Sequence, residues 1–218
     1  LMIDMNSSSQ PPTSDQAVSD KFSSLLEMGF KRVDPQPITV ESVRIDADSH
    51  KVTQVQPAMG SFVTISALHQ SETLAEAALG EAFEKMDRVI TILNRFDANS
   101  ALAYLNDTGR IDSAPPELIE VISGGLDYHR LTSGAFDITV KPIIDLFRDP
   151  KTYEPRMPPS NAELSEAREL VGTEHIGFDD HDLSLSRAGM GLTLDGIAKG
   201  YIVDAMAAAL SQHGVTRF

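Results

Sequence analysis

Apolar residues recur at steps of three and four from Ala75 through Leu79, Ala82, Met86, Val89, Ile90 and Leu93 to Phe96. That spacing predicts one long helix with a single buried stripe, and Thr73 with Glu76 reads as its capping box. Just before it, Ser61–Leu68 alternates apolar and small residues as a half-buried strand does. Arg95–Leu102 reads as a polar turn, with a further helical turn over Leu102–Asn106. A second helix is predicted from about Ser113 to Leu131, Pro115 and Pro116 being tolerable in its first turn. Its Gly124-Gly125 pair costs about 1 kcal/mol per glycine against alanine, unless the pair permits close packing. Thr132–Val140 reads as a small-residue turn feeding a strand. Ser160 and Glu163 mark a third, short helix, and His175–Phe178 with Leu183–Ser186 reads as a hairpin. Leu192–Leu194 is a short predicted strand that runs at once into Asp195-Gly196-Ile197-Ala198-Lys199-Gly200. The Ala-rich stretch Tyr201–Leu210 is a helix, and Val215–Phe218 resembles the start of another strand. Helices mixed with strands, without a regular strand–helix–strand rhythm, predict an α+β domain.

The first 56 residues carry weaker signals. Residues 1–20 are rich in Ser, Pro, Gln and Asp and bury too little to offset ordering entropy, which predicts a disordered tail. They do not read as a secretion signal. Residues 21–56 read as an N-terminal extension, with a short helix at Lys21–Met28, a Pro-punctuated stretch and weak strand patterns. The domain proper is expected over 57–218. Charge then removes one class of function. Eighteen Lys and Arg against 32 Asp and Glu leave a formal charge of −14, a field that repels nucleic-acid phosphate. No run of 18 apolar residues exists to span a membrane. Zero cysteines exclude disulfides, thiolate metal sites and cysteine nucleophiles within this sequence.

The segment Asp195–Gly200 is the most informative place to look for chemistry. A glycine-lined turn opening a helix presents unpaired N–H groups and a partial positive charge, which together attract phosphate. Lys199 adds a full charge in the first turn, where it opposes the helix dipole. The competing explanation is a tight turn carrying a solvated lysine. Asp137 could accept hydrogen bonds from a ligand, or could satisfy local backbone N–H groups as turn aspartates do. His175 and His181 sit near Asp179, Asp180 and Asp182, a pattern that a polar hairpin tip explains equally well. A G-x-S-x-G elbow is absent, so serine-nucleophile catalysis has no support.

Four stretches in order resemble the ApbE family, the FAD:protein FMN transferases. They are Met59-Gly60-Ser61, Ser100-Ala101-Leu102 with Leu105-Asn106, Ser133–Val140 with Pro142, and Gly196–Tyr201 with Asp204. The resemblance covers roughly residues 57–218. It implies an ApbE-type domain with a mixed or antiparallel sheet and packed helices, its C-terminal portion missing. It implies Mg²⁺-dependent transfer of FMN from FAD to a Thr or Ser of a partner flavoprotein, with release of AMP, on the periplasmic side of the inner membrane. FAD and Mg²⁺ are the implied ligands. Residue by residue, it implies FAD contacts from Met59, Phe96, Ala135, Phe136, Asp137 and Lys199. Phe96 stands where the family usually has Tyr, so it can stack but not donate a hydrogen bond. The Gly196 carbonyl matches a Mg²⁺ ligand. The family's FAD-contacting Asp is replaced by Thr193, which can still hydrogen-bond, and Asp195, at the first Gly of the motif, can supply the lost carboxylate, so both are expected to contact FAD. The acidic Mg²⁺ ligands, a Gly-Gly-Asp strand, a Thr-Ser-Gly segment and a His-containing segment have no counterpart here. A flavin-binding protein without transferase activity, and a docking domain with a vestigial pocket, are the alternatives. Bound FAD separates the last of these from the others.

Overall fold

The computed structural model describes residues 38–149, 154–179 and 181–218. The expected tail, and the expected helix at Lys21–Met28, lie outside the described residues.

Three antiparallel strands, β1 (Thr39–Asp46), β2 (Ser49–Ala58) and β3 (Ser61–His69), form one sheet in the order β1-β2-β3. The expected domain start at Pro57 falls inside β2, which pairs with β3 from His50↔His69 to Ala58↔Ser61. Residues 39–56 thus share the sheet with the strand that was legible. Helix α1 (Glu72–Leu93) lies against β2 and β3. Its buried stripe is Ala75, Ala78, Leu79, Ala82, Phe83, Met86, Val89 and Leu93, close to the predicted set. Its cap differs from the expected box. Ser71 is the cap, and its hydroxyl accepts from the Leu74 N–H.

Helix α2 (Ala101–Thr108) is capped by Ser100, and Gly109 ends it in the left-handed conformation. A short β4 (Arg110–Ile111) follows, then α3 (Pro116–Leu131). Two further helices, α4 (Lys141–Phe147) and α5 (Asn161–Glu169), precede the hairpin of β5 (Ile176–Asp179) and β6 (Asp182–Leu185). Only α5 was predicted, and its Ser160–Glu163 capping box is present. Strands β4, β6 and β5 make a second antiparallel sheet. Helix α6 (Ala198–Gln212) packs along α1 and buries Ile202, Met206 and Leu210.

Three predicted strands are absent. Ile138–Val140 is a turn, because the Asp137 carboxylate accepts from the Thr139 N–H and bends the chain back. Leu192–Leu194 is buried but has no ladder partner among the described residues. The final segment is not a strand either, although the Leu68 N–H donates to the Arg217 carbonyl at 2.8 Å and Val215 is fully buried. One core unites α1, α2, α3, α6 and the sheet. The fold is α+β. No helix among the described residues is long and apolar enough to cross a membrane.

Candidate functional site

A cleft of about 770 Å³ opens where the β2–β3 turn, the C-terminal end of α1 and the start of α6 converge. Met59, Arg95, Phe96, Asp195 and Lys199 line it. Each arrives by a local device. Met59 and Gly60 both take left-handed φ, 52° and 73°, and make a two-residue turn between paired strands. Asn94 ends α1, and its side-chain oxygen accepts from the Phe96 N–H, which sets Arg95 and Phe96 just past the helix. The Leu194 carbonyl accepts from Ile197 and Ala198 and turns the chain into α6. Ile197 provides no side-chain cap there, and no acid sits in the first turn. Lys199 is exposed at this uncapped, partly positive end.

Arg95 is the residue that sequence reasoning missed. It was read as part of a polar turn, yet its side chain is only 3% exposed. Its guanidinium donates to Asp195 through Nε and Nη2, the shortest bond being 2.9 Å, and lies 3.9 Å from Asp145. It also sits 4.2 Å from the centre of the Phe96 ring. Asp145 in turn holds Lys141 at 2.5 Å. A buried charge needs such partners. The only signal in the sequence was an arginine placed between a helix end and an aromatic residue.

The Ala135–Asp137 stretch adjoins the cleft without lining it. Phe136 packs edge-on to Tyr128 at 6.0 Å, and its carbonyl accepts from His129 Nδ1 at 3.0 Å. A Cβ at Gly196 would stand 3.0 Å from Phe136 Cε2, so this ring abuts the turn before α6. Asp137 is turned to local work. Its Oδ1 accepts from the Thr139 N–H and hydroxyl, and its Oδ2 lies 3.4 Å from His129 Nδ1. Thr193 is buried and joined to the same turn, its N–H donating to the Ile138 carbonyl at 2.8 Å. Ala135 lies outside the cleft wall. Four of the expected contact residues, Met59, Phe96, Asp195 and Lys199, therefore line one cleft. Phe136 abuts Gly196 beside it, and Thr193 is bonded to the Ile138 carbonyl outside its lining.

The expected Mg²⁺ ligand fares differently. Gly196 offers a carbonyl, but no group of three His, Asp or Glu able to hold a metal occurs among the described residues. Asp195 already accepts from Arg95. This donor set does not fit Mg²⁺, which wants near-octahedral oxygen coordination with carboxylate countercharge. The hairpin histidines form no metal site among the described residues either.

Comparison with known proteins fits this architecture. The sequence model of the ApbE family matches residues 59–218. The FAD:protein FMN transferase of Vibrio cholerae serotype O1 is 24% identical over 165 residues, covering 74% of this chain and 49% of that protein. That of Escherichia coli K12 is 23% identical over 191 residues, covering 84% and 52%. The crystal structure of Pseudomonas stutzeri flavinyl transferase ApbE, apo form, matches the fold with a TM-score of 0.68 at 24% identity. It covers 84% of this chain and 55% of that one. The flavin transferase ApbE from Vibrio cholerae gives 0.63 at 25% identity, covering 82% and 55%. The chain spans about half the length of the curated relatives it matches. By fold, by the order of its motifs and by a family match that runs through most of its length, the chain belongs to the ApbE family.

Proposed function

We propose that this chain carries the flavin-dinucleotide-holding part of an FAD:protein FMN transferase. One observation carries the reading. Met59, Phe96 and Lys199, from three separate elements, meet in one cleft at the uncapped N-terminus of α6. A thioether and an aromatic ring suit a planar flavin, and a lysine on a helix N-terminus suits a phosphate. The relatives' names, FAD:protein FMN transferase, support the same reading. Extending it to this chain is analogy.

In the reaction, a Thr or Ser hydroxyl of an acceptor flavoprotein attacks the phosphorus of the FMN half. A new P–O bond forms as the bond to the adenylate breaks, the hydroxyl proton is lost, and AMP leaves. Lys199 and the first-turn amides of α6 hold the pyrophosphate, and Phe96 and Met59 hold the ring. Mg²⁺, when bound, supplies countercharge to the pyrophosphate. The described residues offer it no more than the Gly196 carbonyl, and no step is assigned to it. The same reading assigns the protein to the periplasm or the periplasmic face of the inner membrane, which cell fractionation tests.

Calorimetric titration of the chain with FAD and with FMN is the direct experiment. FAD binds more tightly, and Lys199→Ala loses about ten- to a hundredfold in FAD affinity, as removal of a charge-assisted contact does. Equal affinity for FMN and FAD, or a change below twofold in the variant, overturns the reading. A second reading is FAD binding without transfer, since Gly196 has no carboxylate cluster beside it among the described residues of a chain that spans about half the length of its relatives. AMP release together with a flavinylated acceptor separates the two.

A further inference from the structure

We infer that Arg95 is a positioning residue that sets the shape of the flavin cleft by tying two of its walls together, a role that rests on the function proposed above. Its one side chain meets both walls. The face of the guanidinium lies 4.2 Å from the Phe96 ring centre, and its Nε–Nη2 edge bonds the Asp195 carboxylate. Phe96 belongs to the end of α1, and Asp195 to the turn that carries Gly196 and Lys199 into α6. The two residues of the ion pair are 100 positions apart, so no local structure brings the walls into register.

The guanidinium suits this task better than an ammonium. Its planar fork fixes the angle of a carboxylate as well as its distance, and its flat face stacks on a ring. Among the described residues, Asp145 and Lys141 extend this set, Asp145 lying 3.9 Å from Arg95 and 2.5 Å from Lys141. Lys199, exposed and outside that set, is left to meet an anion. Arg95 itself is nearly sealed from solvent, which argues against direct capture of a phosphate. It acts through Asp195 and Phe96. A phosphate that displaced Asp195 would leave a carboxylate without its cation.

The experiment uses the full 218-residue chain with two readouts. The first is FAD affinity, followed by quenching of flavin fluorescence. The second is hydrogen exchange at the Ile197 and Ala198 amides, whose bonds to the Leu194 carbonyl hold the turn closed. Arg95→Lys keeps the charge and loses the fork. Asp195→Asn removes the carboxylate at a side chain that is 49% exposed, so it folds even where Arg95→Met does not. Each of Arg95→Lys and Asp195→Asn lowers FAD affinity about tenfold, and the double variant is no weaker than either single, as expected for one coupled pair. Exchange at Ile197 and Ala198 quickens by a similar factor while amides in the middle of α1 keep their rates. Two results overturn the inference. One is affinity and exchange within twofold of the parent in both single variants. The other is losses that multiply in the double variant. If the parent chain binds no FAD, the proposed function fails, and the exchange comparison still decides the role of Arg95.

Discussion

The side chain of Asn106 bonds both backbone polar groups of Leu192, accepting from its N–H at 2.6 Å and donating to its carbonyl at 3.0 Å. One amide thus does what a neighbouring strand would do. It holds Leu192 in place although no strand ladder runs there among the described residues. Aspartate cannot donate to the carbonyl, and leucine can do neither. Asn106→Leu therefore leaves two buried backbone groups unpaired and costs about 2–6 kcal/mol, at roughly 1–3 kcal/mol for each unsatisfied group. Urea denaturation reads the loss directly. A cost below 0.5 kcal/mol would show that the segment holds itself.

The adjacent glycines of α3 give opposite outcomes. A Cβ at Gly125 would stand 2.8 Å from Ile138 Cγ2, a methyl on the β-carbon, next to the backbone, that has little freedom to swing away. At Gly124 the nearest atom is Ile197 Cδ1 at 3.6 Å, an ordinary contact. Gly124→Ala gains about 0.5–1 kcal/mol from helix propensity. Gly125→Ala gains the same and loses about 1–3 kcal/mol to overpacking. Thermal melts of the two variants should move in opposite directions. Two shifts of the same sign would refute the packing argument.

These cases also show what could be read from the sequence. The α1 stripe, the start of α5, the β5–β6 hairpin and α6 were legible because each rests on spacing within one segment. The glycine pair was flagged as either a cost or a close approach, and only the position of Ile138 decided which. β1 was weak for a physical reason. Nearly all its residues are exposed, so burial imposes no alternation on Thr39–Asp46. Ile138–Val140 has the β-branched composition of a strand, yet one carboxylate turned it. In the cleft, Met59, Phe96, Asp195 and Lys199 were identified, but the buried state of Arg95 was not. That state is decided by Asp195 and Asp145, which no local window contains.

Met59 couples stability to binding. It occupies a left-handed φ that a two-residue hairpin turn prefers to fill with Asn or Gly. Met59→Asn creates an Asn-Gly turn and removes strain, stabilising the chain by about 0.5–1 kcal/mol. The same change deletes a thioether from the cleft wall, so FAD affinity falls. A variant that melts lower, or that binds FAD as tightly as the parent, would contradict this trade.

Glu117 makes stability depend on acid. Burial pushes its carboxyl upward, but the Lys85 hydrogen bond, a backbone hydrogen bond and the Lys85 and Arg88 charges outweigh it and hold it below the usual value of 4.5. A lowered carboxyl stabilises the fold above the unfolded value. That contribution is lost as pH falls through the folded one. The acid limb of the stability curve should therefore be shallower in Glu117→Gln. Lys85→Met removes the 2.9 Å bond and leaves the buried carboxylate, whose Oε2 is already unpartnered, with Arg88 at 3.4 Å, at about 1–3 kcal/mol near neutral pH. An unchanged acid limb in Glu117→Gln would remove Glu117 as its cause.

The abutment of Phe136 on Gly196 bears on how this protein can vary over generations. A Cβ at 196 meets the ring at 3.0 Å, so a side chain there is admissible only once the ring has shrunk or moved. The ring in turn fills space that only a glycine leaves open. The two positions lie sixty residues apart in the chain, yet they cannot drift independently. Among descendants of this sequence, loss of the aromatic ring should precede loss of the glycine, and the reverse order should be selected against.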